Sequence, residues 1–157
     1  AIYAVELKQD GKSYSKIISM VNNKRDKTQV FLIVDDLNYI VKGGRVPSKI
    51  KTIANILRLR PVLGTKKSGK LTARGVIYGR ARMVDKFAVY LSKKLHNHKK
   101  YRIMIAHANC KEKGNDLINK LLATKSNIVQ HFLVELGGAL GAHAGPGALT
   151  FGMQEVD

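Results

Sequence analysis

Cysteine and long apolar runs are the two features that this sequence most clearly lacks. Cys110 is the single cysteine among 157 residues, which excludes an intramolecular disulfide framework and favours a reducing compartment. The apolar runs are short, such as residues 30–34, whereas a transmembrane helix needs roughly 20 apolar residues. No secretory signal pattern is present either. We therefore expect a cytoplasmic protein with one compact core, too short for two full domains.

Acidic residues are also scarce. The sequence has 11 Asp and Glu against 28 Lys and Arg, which gives a formal net charge of +17. Such a surface attracts polyanions, including nucleic acid, anionic membrane and acidic proteins, but the charge does not choose among them. The basic residues are scattered from Lys8 to Lys125 instead of forming a tail. Ordinary solvation of a globular surface therefore remains an equal alternative.

The residue patterns of common catalytic sites are missing as well. There is no phosphate-binding P-loop and no cluster of carboxylates for magnesium, so a phosphoryl-transfer enzyme is the least favoured function. His143 has no His, Cys or carboxylate nearby at the spacing of metal ligands, and Cys110 has no evident base partner. We expect no catalytic residues, no metal and no cofactor in this chain.

Helical and strand patterns alternate along the sequence. Apolar residues at helical spacing follow Ser13, and Asp35 or Asp36 can cap a short helix that Gly43 and Gly44 would end. A hairpin around Gly69 indicates a partly antiparallel sheet. The remaining pattern predicts helices over residues 48–59, 80–96 and 110–122, strands over 30–34, 62–65, 71–78, 102–106, 127–136 and 148–153, and a loop over 137–147. The expected fold class is α/β, with a mixed sheet and packed helices.

Three segments carry residues that suit an anionic ligand. Arg45 follows the double glycine, where the tight turn and free backbone amides would favour an anion. Arg80 stands at the start of a predicted helix, whose positive dipole end an anion would offset. His143 is the only acid–base group in the small-residue segment 137–148. Each has a structural alternative: a solvated arginine in the first two cases, and an incidental histidine in the third.

Four segments together resemble the DegV family. They are residues 35–46 (DDLNYIVKGGRV), residues 56–63 (ILRLRPVL), residues 107–109 (HAN) and residues 141–149 (GAHAGPGAL). Their order and spacing cover nearly the whole chain, and the last segment is the strongest match. One departure is Tyr78, which stands where the family has the first arginine of another signature.

The resemblance implies the fold and the function. It implies that residues 1–157 form the carboxy-terminal lobe of the two-lobed DegV (EDD) fold, with the amino-terminal lobe absent. It implies a non-enzymatic, fatty-acid-binding carrier that buries a long acyl chain and presents the carboxylate to a partner fatty-acid kinase. His143, Arg45 and Arg80 would lie near the head group. For the acyl-chain lining we expect Ile53, Ile56 and Leu57, which also suit a plain core.

The alternative function is a basic nucleic-acid-binding domain. It would need aromatic side chains interleaved with the basic residues, and no such pattern is visible along the sequence. We therefore expect no specific nucleic acid as a partner. Within the carrier hypothesis, the positive charge would favour transient contact with an anionic membrane, where fatty acids exchange, or with an acidic kinase.

Overall fold

The computed structural model describes residues 2–44, 47, 49, 52, 59–66, 69–79 and 81–156. The helices bounded within these ranges are α1 (Ile2–Gln9), α2 (Tyr14–Arg25), α3 (Leu37–Lys42), α4 (Met83–Ser92), α5 (Lys111–Thr124) and α6 (Gly138–Ala144). The strands are β1 (Thr28–Ile33), β2 (Leu59–Thr65), β3 (Leu71–Tyr78), β4 (Lys100–His107), β5 (Ile128–Glu135) and β6 (Leu149–Val156). None of the helices in this described part is long and apolar enough to cross a bilayer.

The strands form one sheet in the order β3-β2-β1-β6-β4-β5. β4 and β5 run parallel, and the other neighbouring strands pair antiparallel, which confirms the predicted mixed sheet. β6 lies between β1 and β4, so that Phe151 faces Phe31 on one side and Ile105 on the other. The predicted hairpin is β2–β3, and Gly69 in its turn has a φ of 80°.

The main core lies on one face of the sheet. Along β4 the side chains alternate, and Tyr101, Ile103 and Ile105 are fully buried on this face. α4 and α5 cover it, because apolar residues recur at helical spacing on both helices, as at Phe87 and Leu91. Burying such side chains is the main source of stability for a domain of this size.

The opposite face is covered at its two ends by different helices. At one end, Glu6 of α1 forms an ion pair with Arg102 of β4, and Lys24 of α2 donates to the backbone oxygen of Glu155. At the other end, a second apolar cluster lies beneath α3 and α6, and its buried members are Val34, Leu37, Ile40, Leu63, Ala108, Ala144 and Ala148. This second cluster positions the site described below.

Two local expectations were wrong. The predicted glycine-rich loop contains the helix α6. α4 begins at Met83 instead of at residue 80, because the preceding Arg82 has a left-handed backbone with a φ of 55° and cannot continue a helix. His131, in the predicted strand over 127–136, is exposed on the edge strand β5. α1 was not predicted, since its apolar residues follow no clear helical period.

Candidate functional site

Motifs that are distant in the sequence meet at one end of the neighbouring strands β1, β6 and β4. Ile33 at the end of β1 and His107 at the end of β4 both pair with Leu149 at the start of β6. The segments that follow β1 and β4 must therefore lie beside the segment that precedes β6. Three of the four matched motifs come together for this reason, and Leu63 from the fourth packs in the same apolar cluster.

His143 lies directly against the double glycine. It occupies the last turn of α6 and is half-buried, and its Nδ1 atom is 2.5 Å from the position that a Cβ atom would take at Gly43. Gly43 ends α3, where its amide donates to the backbone oxygen of Tyr39 at 2.9 Å. The absence of a side chain at Gly43 is what allows the imidazole to approach this closely.

Among the expected site residues, the structure describes His143 and not the others. His143 adjoins Gly43, which stands two residues before Arg45 in the chain. Arg45 itself lies outside the described residues, and so do Arg80 and the three expected lining residues Ile53, Ile56 and Leu57. The head-group role of His143, Arg45 and Arg80 therefore stays a prediction.

A second close approach joins the same two segments. The ring of Tyr39, on α3, lies over Gly145, whose φ of 76° also favours glycine. Asp35, at the start of the first motif, contacts Gly147 and forms an ion pair with Lys113 of α5. The two side chains of the first motif thus each pack on a glycine of the last motif, Tyr39 on Gly145 and Asp35 on Gly147. Sequence reasoning missed this correspondence, although both pairs belong to the matched motifs.

Backbone hydrogen bonds fix the small-residue segment onto the end of β4. The amide of Gly147 donates to the oxygen of Ala108 at 2.8 Å, and the amide of Ala108 donates to the oxygen of Ala148 at 3.0 Å. The Cys110 thiol also donates to the oxygen of Ala148, at 3.5 Å. Burial raises the pKa of the Cys110 thiol, which leaves little thiolate at neutral pH. Cys110 is therefore a structural residue.

His107 is buried beside this segment, with 7% of its surface exposed. Its Nδ1 atom has no hydrogen-bond partner among the residues that the structure describes. Its Cδ2 and Cβ atoms lie 3.7 and 3.8 Å from the position of a Cβ atom at Gly114. His107 thus packs against α5, whose first residue follows Cys110.

Arg82, two residues after Arg80 in the sequence, belongs to a cluster of ion pairs. Arg82 forms an ion pair with Asp85 at 2.8 Å, and Lys120 of α5 binds the other oxygen of Asp85 at 2.7 Å. Hydrogen bonds from Lys120 and then Arg82 lower the pKa of Asp85. This cluster clamps α4 to α5. Within the described ranges, no group of three or more His, Cys, Asp or Glu side chains is arranged to hold a metal ion.

Residues 1–155 match the model of a family described as "Uncharacterised protein, DegV family". The chain belongs to the DegV family. A DegV domain-containing protein of Clostridium perfringens is 29% identical over 148 residues, which cover 94% of this chain and 50% of that relative. The chain thus spans about half the length of the curated relatives that it matches.

Solved DegV structures share the fold. The fatty-acid-binding DegV family protein of Streptococcus agalactiae superimposes with a TM-score of 0.81 and 26% identity, over 99% of this chain and 54% of that one. A DegV family protein of Eubacterium eligens, loaded with heptadecanoic acid, gives a TM-score of 0.79 at 18% identity, over 98% and 54%. The expected α/β lobe, with its mixed sheet and packed helices, is confirmed by this likeness.

Proposed function

We propose that this DegV chain is a fatty-acid-binding lobe that buries a long acyl chain and holds its carboxylate near His143. The observation that carries the proposal is the close approach of the His143 imidazole to Gly43. It places His143 beside the segment that precedes Arg45 in the sequence. The Streptococcus agalactiae and Eubacterium eligens proteins, which are described as fatty-acid-binding and as loaded with heptadecanoic acid, support the ligand class.

The chemistry of a buried carboxylate supports the choice of residues. Each methylene removed from water contributes about 0.8 kcal/mol, so apolar walls favour the acyl chain, whereas the carboxylate needs hydrogen-bond donors. Residues 126–157 contain no Lys or Arg. Of their two histidines, His131 is exposed on the edge strand β5, and His143 is the one that lies beside Gly43. We propose that Arg45 and Arg80 complete the set, and that Ile53, Ile56 and Leu57 line the acyl chain.

Three finer statements belong to the same proposal. The chain corresponds to the carboxy-terminal lobe of its longer relatives. The lobe itself is no enzyme: it presents the carboxylate to a fatty-acid kinase, which makes the acyl-phosphate at the expense of ATP. The cationic surface brings it into transient contact with anionic membrane, where the ligand exchanges.

Native mass spectrometry of the purified chain, followed by organic extraction, tests ligand binding. We expect a mass increment equal to one long-chain fatty acid. In the His143→Ala variant the fraction of chain that carries the fatty acid should fall by about ten-fold, because a buried carboxylate loses a donor. His98→Ala is the matched control, since His98 is exposed and lies in the loop before β4. Absence of the increment in the presence of excess oleate would refute the proposal for this chain.

The partner proposals have separate tests. Oleate-loaded chain mixed with a purified fatty-acid kinase and ATP should yield acyl-phosphate, and the chain alone should consume no ATP. Oleate transfer from vesicles should be faster when they contain anionic lipid. Equal transfer rates from neutral and anionic vesicles would exclude the membrane contact without affecting the acyl-binding proposal.

A further inference from the structure

Two grooves lined by cations adjoin β3, one of the two edge strands of the described sheet. The first has a volume of about 590 Å³ and runs between β3 and α4. Its floor is apolar, with Val76 and Val89 more than half exposed. Its rim carries the cations Arg82, Lys86 and Lys93.

The second groove continues from the first around the β2–β3 hairpin. It has a volume of about 490 Å³ and is lined by the cations Arg25, Lys66 and Arg74. The two grooves adjoin where the Tyr90 hydroxyl of the first donates to the backbone oxygen of Arg74, at 2.9 Å. We call this combined surface the β3 track, defined by its cations Arg25, Lys66, Arg74, Arg82, Lys86 and Lys93.

The positive charge of the β3 track is largely uncompensated. Within the part of the chain that the structure describes, Arg25, Lys66 and Lys93 form no ion pair. The carboxylates that line the two grooves are Asp26 and Asp85, and Asp85 is already bound by Lys120 as well as Arg82. The two grooves therefore carry six cations against two carboxylates.

An exposed aromatic side chain stands at one end of the track. Tyr78 is 68% exposed and lines the first groove. Tyr90 also lines this groove, and the Lys94 ammonium is 5.4 Å from its ring centre. The sequence spreads these tyrosines and lysines without a visible pattern, and the strand–helix packing brings them together.

We infer that the β3 track binds single-stranded nucleic acid without sequence preference. Cations that line two adjoining grooves fit a chain of phosphates, and an exposed tyrosine gives a base a ring on which to stack. The concave shape of the grooves fits a strand better than a flat bilayer. Arg25, Lys66 and Lys93 are not among the residues proposed for the acyl-binding site, His143, Arg45 and Arg80, so variants of these three cations test the two proposals separately.

Fluorescence anisotropy with a labelled oligothymidylate of about 12 nucleotides tests the inference. The triple variant Arg25→Ser/Lys66→Ser/Lys93→Ser should lower affinity at least about ten-fold near 0.1 M salt, and reduce the salt slope by about 2, since each lost phosphate contact removes about 0.7. The matched control Lys8→Ser/Lys16→Ser/Lys111→Ser loses the same charge from exposed positions elsewhere and should change affinity less than about three-fold.

Stacking has its own pair of variants. Tyr78→Ala should weaken binding by about ten-fold, and Tyr78→Phe should retain it, because the phenyl ring still stacks. Far-UV circular dichroism verifies that all variants are folded.

Three outcomes would overturn the inference. The first is an equal loss of affinity in the two triple variants, which would reduce the effect to net charge. The second is competition by polyglutamate as strong as that by unlabelled oligothymidylate, which would indicate an acidic protein segment as the partner. The third is equal affinity for duplex DNA, which would exclude base stacking. The last two use the unaltered chain, so neither depends on how a variant folds.

Discussion

The imidazole of His143 occupies the space that a side chain at Gly43 would fill, with Nδ1 2.5 Å from that Cβ position. The two residues belong to motifs a hundred positions apart in the sequence, and neither can change without affecting the other. This dependence leads directly to the first prediction.

Gly43→Ala should displace His143. The added methyl group would overlap Nδ1 and also lie 3.3 Å from the backbone oxygen of Tyr39, which cannot move freely. We expect a loss of about 1 to 3 kcal/mol in the free energy of unfolding, measured by urea denaturation, and a weaker interaction with fatty acid.

Gly138→Ala is the control for this substitution. Gly138 also lies in the small-residue segment, but it starts α6 and no atom lies within 4 Å of its Cβ position. Because alanine favours helix, this variant should be neutral or more stable by up to about 1 kcal/mol. If the two variants had the same stability, the contact between His143 and Gly43 would have no energetic importance.

Gly145→Ala combines two effects that a double-mutant cycle separates. The backbone φ of 76° is unfavourable for alanine, and the new methyl group would overlap the ring of Tyr39. We expect a loss of about 2 to 4 kcal/mol in the wild-type background. In a Tyr39→Ala background only the backbone strain remains, so the loss should fall by about 1 to 2 kcal/mol. Purely additive losses would contradict the contact.

Asp85 should make the stability of the helix pair α4–α5 depend on pH. Its folded-state pKa is lowered by Lys120 and Arg82, so its contribution is present above the ordinary value of 3.8 and is lost as the pH falls through the lower folded value. Asp85→Asn should therefore lower the Tm slightly at pH 7, and the difference from wild type should vanish in strong acid. A difference in Tm that persisted there would exclude the ionised carboxylate as its source.

Cys110 should react slowly with thiol reagents. The thiol is buried and donates to the oxygen of Ala148, and burial raises its pKa, so little thiolate forms at pH 8. With Ellman's reagent we expect a rate at least about ten-fold lower for the folded chain than for the chain in guanidinium chloride. Equal rates in the two conditions would show that Cys110 is accessible, and Cys110→Ser serves as the blank.

The sequence predicted those elements in which local pattern and tertiary contacts agree. The β-branched run of β1, the Gly69 turn and the Asp36 cap, which accepts a hydrogen bond from the amide of Asn38 at 2.8 Å, each carry their own local signal. α6 carries none, because glycine and alanine occupy five of its seven positions together with Leu140 and His143. Its helix depends on packing against α3, which no local pattern contains.

The site was predictable in its parts and only partly in its assembly. The motifs indicated His143 and the double glycine, and the sheet register explains why they meet. The contact of Tyr39 with Gly145 and that of Asp35 with Gly147 depend on how α3 crosses the small-residue segment. Spacing along the sequence does not contain that geometry. The β3 track was not predicted for the same reason, since Tyr78 and Tyr90 line one groove only when α4 packs beside β3.

The central position of β6 has a consequence for biosynthesis. All other strands of the described sheet precede β6 in the chain, yet β1 and β4 are joined only through it. A ribosome releases the polypeptide from its amino end, so the β1–β2–β3 and β4–β5 units emerge early with an unpaired inner edge on each. Those two edges stay open to chaperones until β6 has been synthesised and inserts between β1 and β4.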